Sequence, residues 1–141
     1  MMEIWHPTNY EHVEILEQID VHYGPRGLII KVGDDRKIFS FIYDQQLKTA
    51  NFVEAFRFMD EIKASYLVHE ASEARQKYFG DRKLPWYLYK STSSDFIDWY
   101  NQLPGPGTDV YHIEHHVIAT VDSTFEILSM YEPKVLVENI K

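Results

Sequence analysis

The chain has 141 residues, of which 45% are apolar and 26% charged, and it contains no cysteine. That length makes one domain rather than two and buries roughly 70% of the unfolded surface, so folding requires no disulfide or structural metal. Its 14 Lys and Arg against 22 Asp and Glu give a formal charge of −8, which disfavours a nucleic-acid partner and favours a basic protein partner.

The lack of cysteine removes disulfides, thiolate metal sites and Cys nucleophiles together. Met1 to Pro7 has neither the basic start nor the apolar run of a signal peptide, and no apolar stretch approaches the ~20 residues of a membrane helix. A cytoplasmic protein without a membrane partner is expected.

Residues 13–43 read as an antiparallel meander. Val13, Ile15, Ile19, Val21 and Tyr23 keep the period of two that gives a strand one apolar face, while Leu16 and Gln18 break it and suggest a bulge. Gly24-Pro25-Arg26-Gly27 predicts a turn, Leu28 to Val32 a strand, Gly33-Asp34-Asp35 a second turn, and Lys37 to Tyr43 a third strand. The stretch 51–59 fits two patterns. Alternating Phe52, Glu54, Phe56 and Phe58 suit a strand, whereas Asn51 with Glu54 suits a capped helix. Aromatic density tips the balance towards the strand.

From Ala64 to Phe79 the period lengthens to that of a helix, with Ala64, Leu67, Val68, Ala71 and Tyr78 as its apolar stripe and Gly80 as its stop. Trp86 to Lys90 reads as a strand. Ser94 caps a short helix through Tyr100, and the Pro- and Gly-rich run 103–108 is an exposed loop. Tyr111, Ile113, Val117, Ala119 and Val121 then alternate, and Asp122-Ser123-Thr124 turns the chain into a returning strand from Phe125 to Met130. A three-residue loop would set Phe125 beside Val121 and Ile127 beside Ala119. Val135 to Val137 adds an edge strand.

His112, Glu114 and His116 project from one face of a strand over 110–121 and form the candidate metal set for zinc or iron. Alternate residues on a flat strand converge poorly unless another element contributes a ligand, and His6, His12, His22 and His69 show no second cluster. The competing reading is a polar, partly solvated sheet face. His115 lies on the opposite, apolar face as a buried imidazole with no partner arranged for catalysis. Ser91, Ser93 and Ser94 lack a nucleophile-elbow setting and suit helix capping. Asp34-Asp35 and Asp95/Asp98 suit a turn and a helix start. Trp86, Tyr87, Tyr89, Trp99 and Tyr100 are the candidate binding aromatics, set against a role in the core.

Glu114-His115-His116-Val117-Ile118-Ala119-Thr120, followed by Phe125-Glu126-Ile127-Leu128-Ser129 and Glu132-Pro133, is similar to a group of uncharacterised small bacterial proteins. In that group a Tyr/Lys-Ser segment and a short aromatic helix precede the hairpin, as Tyr89 to Tyr100 do here. The resemblance implies a bacterial α+β domain and carries no activity. The expected fold is therefore α+β, a mostly antiparallel sheet of about six or seven strands with one medium and one short helix. The expected function is a non-enzymatic interaction module, of immunity or accessory type, that uses no cofactor. The alternative is a small metal-binding protein or metal-dependent enzyme built on His112, Glu114 and His116.

Overall fold

The computed structural model describes residues 2–8, 16–46, 51–60, 62–82 and 85–140. His12, Val13 and Ile15 lie outside the described residues. The class is the expected α+β one, with every strand pairing antiparallel. Among the described residues the strands number nine and divide between two sheets.

The first sheet has the order β1 (Glu3–Ile4), β6 (Leu88–Ser91), β7 (Glu114–Ala119), β8 (Ser123–Ser129) and β5 (Ala55–Asp60). The second has the order β2 (Glu17–Gly24), β3 (Gly27–Gly33), β4 (Lys37–Tyr43) and β9 (Lys134–Asn139). The meander, the bulge between Gln18 and Asp20 and the edge strand at 135–137 all follow the sequence reading. Gly27 holds φ at 116°, and a Cβ there would lie 2.2 Å from the Tyr43 carbonyl oxygen, so this turn demands glycine. Asp34 Oδ1 accepts from the Arg36 and Lys37 amides at 2.8 Å each, which explains an Asp at the second turn by backbone need. Over 51–59 the strand wins at Ala55–Asp60, because β8 offers a full ladder of partners.

Three expectations require correction. The β7–β8 register sets Phe125 opposite Ile118 and Ile127 opposite His116. A two-residue loop, closed by Thr120 N–H donating to the Ser123 carbonyl at 2.7 Å, replaces the expected three-residue one. β8 is buried at every position, so alternation offered no solvent face to select the register. Next, the face carrying Glu114 and His116 is solvated only at its His112–Glu114 end. Leu28, Ile30, Val32, Phe39, Phe41 and Tyr43 of the second sheet join one core with Ile118, Phe125 and Ile127 of the first, and His116 is fully buried. Finally, β2 is an outer strand whose Ile19 and Tyr23 are exposed.

The helical segment comprises a 3₁₀ turn at Lys63–Leu67 and α1 (Val68–Phe79), which ends at Gly80 with φ 63°. It buries Ala64, Leu67, Ala74 and Phe79, while Val68 and Tyr78 of the expected stripe face outwards. The short helix α2 (Asp95–Asn101) starts where expected, with Ser94 Oγ accepting from the Ile97 amide at 3.2 Å. No helix among the described residues is long and apolar enough to cross a membrane.

Candidate functional site

β7 carries two adjacent histidines, and strand alternation sends their side chains to opposite faces of the sheet. On the face towards the second sheet, the His116 ring stacks on the Trp5 indole with centroids 4.5 Å apart and planes 15° from parallel. Its Nδ1 is 2.8 Å from Tyr43 Oη and its Nε2 is 3.0 Å from Glu114 Oε1. Glu132, between β8 and β9, completes the group with Oε2 3.9 Å from His116 Nε2. One donor atom from each of Glu114, His116 and Glu132 lies within 4.8 Å of the others.

The environment sets the charges. The His116 hydrogen bond, working against partial burial and aided by the Lys90 ammonium, lowers the Glu114 pKa to about 2. Glu114 is therefore a carboxylate with no proton to give, and His116 Nε2–H donates to it. Nδ1 is left to accept from the Tyr43 hydroxyl, which burial and the charges of Glu132 and Glu114 keep protonated by pushing its pKa well up. The Trp5 indole N–H donates to both Glu132 oxygens at 3.0 and 3.3 Å, so one aromatic residue both stacks the imidazole and orients the carboxylate. Lys90 Nζ lies 3.4 Å from Glu132 Oε1 and 3.8 Å from Glu114 Oε2.

Of the expected metal set, Glu114 and His116 come together and His112 stands beside them. The His112 side chain is 71% exposed, with Nε2 3.6 Å from Glu114 Oε2. Sequence reasoning missed Glu132, Trp5, Tyr43 and Lys90, which converge from separate strands and connections. Glu132 follows the returning strand of the hairpin, and that proximity was the one signal available for it.

On the opposite face, His115 is buried and satisfied at both nitrogens. Nδ1 lies 2.8 Å from Ser94 Oγ, and Nε2 lies 2.8 Å from Glu126 Oε1. Glu126 is fully buried and accepts from Arg57 Nε at 2.9 Å, from Arg57 Nη2 at 3.0 Å and from Tyr66 Oη. Burial pushes the Glu126 pKa up, but the hydrogen bonds from His115 and Arg57 outweigh it and bring the value to about 2. The partner that sequence reasoning did not find for His115 thus exists on both sides of the ring.

The five candidate aromatics separate. Trp86, Tyr87 and Tyr89 line a mostly apolar cavity of about 280 Å³ beneath α1, and Trp86 and Tyr89 are themselves buried. Trp99 is exposed and leans on Phe96, while Tyr100 Oη donates to Glu54 at 2.9 Å. They form no common surface.

The chain matches no known protein family, no curated protein and no solved structure.

Proposed function

We propose that this protein binds a divalent transition metal, zinc or iron, through His116, Glu114 and Glu132, with His112 as fourth ligand. The observation that carries the reading is the convergence of those three donor sets within 4.8 Å. Ligands about 2.1 Å from a tetrahedral ion stand about 3.4 Å from one another. The distances of 3.0 Å and 3.9 Å from His116 Nε2 to the two carboxylates straddle that value. One or two imidazoles with two carboxylates suit zinc and iron(II).

The outer groups fit the same purpose. With Nε2 ligating, the imidazole proton belongs on Nδ1, where Tyr43 Oη accepts it, and Trp5 holds Glu132 in place. Lys90 balances the two carboxylates, a charge that a bound dication would take over. A metal held there would supply Lewis acidity at the solvent-accessible end of β7, where Glu132 and His112 are both exposed. The acidic, cysteine-free composition fits a cytoplasmic setting. The interaction-module reading retains exposed Trp99 and ranks second.

Titration of chelator-treated protein with zinc by calorimetry tests the proposal. One equivalent should bind, and Glu132→Gln should abolish that uptake while leaving the circular dichroism spectrum intact. Failure of the unmodified protein to take up stoichiometric zinc or iron would refute it.

A further inference from the structure

We propose that Ser94 is an activated nucleophile, coupled to His115 and oriented through Glu126, that accepts the acyl group of a short uncharged ester. The site is separate from the metal centre, on the other face of the first sheet. It opens into a cavity of about 450 Å³ lined by Arg57, Tyr66, Ser94, Phe96, Asp98 and His115, among others. That volume lies within the range of small-molecule sites and towards its lower end.

The hydrogen-bond inventory gives the three residues distinct roles. Glu126 is a carboxylate already receiving Arg57 and Tyr66, so it can only accept from His115. In its neutral form the ring carries its proton on Nε2 and turns the Nδ1 lone pair towards Ser94 Oγ, 2.8 Å away. Ser94 Oγ also accepts the Ile97 amide at 3.2 Å. That bond uses a lone pair of the hydroxyl, fixes the oxygen and leaves its hydrogen for His115. Capping needs only the acceptor half of a hydroxyl; the imidazole and the buried carboxylate behind it complete the nucleophile–base–orienter sequence.

The cavity sets the substrate class. Glu70, Asp95 and Asp98 line it, and the Arg57 guanidinium is already paired with Glu126. This excess of negative charge disfavours an anionic acyl group.

The reaction balances as ester hydrolysis. Ser94 Oγ bonds to the ester carbonyl carbon and passes its proton to His115 Nδ1. The carbon–oxygen bond to the alcohol breaks, and the alcohol leaves with that proton. Water then adds to the acyl carbon and gives a proton to Nδ1. The bond to Ser94 Oγ breaks, Oγ recovers the proton, and the carboxylic acid departs.

A neutral alkyl fluorophosphonate, applied to the whole chain in the presence of a chelator, tests this independently of any metal. Bonding of Ser94 Oγ to phosphorus expels fluoride and leaves a stable adduct, placed by peptide mass spectrometry. Ser93 lines the same cavity and serves as the internal control. Ser94 should react at least about 100-fold faster than Ser93, the contribution expected of a positioned general base. His115→Gln should remove that advantage. Ser94→Asn, which keeps a capping side chain, should abolish hydrolysis of p-nitrophenyl acetate above the uncatalysed rate while leaving the fold intact. Labelling of Ser94 no faster than Ser93 in the unmodified protein, or undiminished hydrolysis by Ser94→Asn, would overturn the proposal.

Discussion

His115 and His116 are consecutive residues of one strand, and their rings serve two separate polar clusters on opposite sides of a buried sheet. His116 faces Tyr43, Trp5 and Glu114 in the space between the sheets. His115 faces Ser94 and Glu126 beneath the helices. Both clusters leave no buried side-chain polar atom unpartnered among the described residues, as buried polar groups require. Satisfaction alone would explain two quiet histidines. The presence of Lys90 and a second carboxylate beside His116, and of a cavity beside His115, is what motivates the use proposed for each cluster.

Lys90 competes with any dication for Glu114 and Glu132. Replacing it with methionine keeps the aliphatic stem and removes the ammonium. Because the pair is partly exposed, it is worth about 1 kcal/mol. Lys90→Met should therefore tighten zinc binding about fivefold by calorimetry; weaker binding would show that Lys90 assists rather than competes.

Trp5 combines two functions that one substitution separates. Trp5→Phe retains a ring against His116 and loses the N–H that orients Glu132. Loss of such an outer-shell donor costs about tenfold or more in metal affinity. Zinc affinity measured by competition with a chromophoric chelator should fall by that factor. Unchanged affinity would confine Trp5 to packing.

Arg57 pairs its guanidinium with the buried Glu126 through two hydrogen bonds. Arg57→Met leaves that carboxylate with His115 and Tyr66 alone, which should cost about 3 kcal/mol in denaturant unfolding. Glu126→Met combined with Arg57→Met should recover part of the loss, because both charges are then gone.

The pH dependence of stability has a defined sign. Glu114 and Glu126 titrate near 4.5 when unperturbed and near 2 in the folded chain. Between those limits the unfolded chain binds more protons, so stability rises with pH. Their contribution is complete above the unfolded value and disappears as pH falls through about 2. Urea unfolding followed across that window should show the rise, and Glu126→Gln should flatten it. An equal slope in the variant would remove Glu126 from the account.

Local features were legible and convergent ones were not. The glycine turn at 24–27, the Ser94 cap and the strand from Lys37 to Tyr43 depend on neighbouring residues, so the chain order exposes them. Glu132 meets His116 because Trp5, more than 120 residues away, donates its indole N–H to that carboxylate. No spacing rule connects residues so far apart. The hairpin register escaped for a related reason. A strand buried on both faces has lost the alternation by which sequence reveals register, and the Thr120–Ser123 closure decides it instead. His115 was correctly read as buried on the face opposite His116, but Glu126 on the returning strand was not recognised as its acceptor because the register was three positions away from the actual one.

X-ray absorption of protein incubated with zinc tests the proposed metal centre at the level of its ligands. A first shell of nitrogen and oxygen at about 2.0–2.1 Å is expected, with imidazole scattering from His116 and His112 that is reduced by half in His112→Ala. A shell of oxygens without imidazole scattering would place the ion on surface carboxylates and contradict the centre described above.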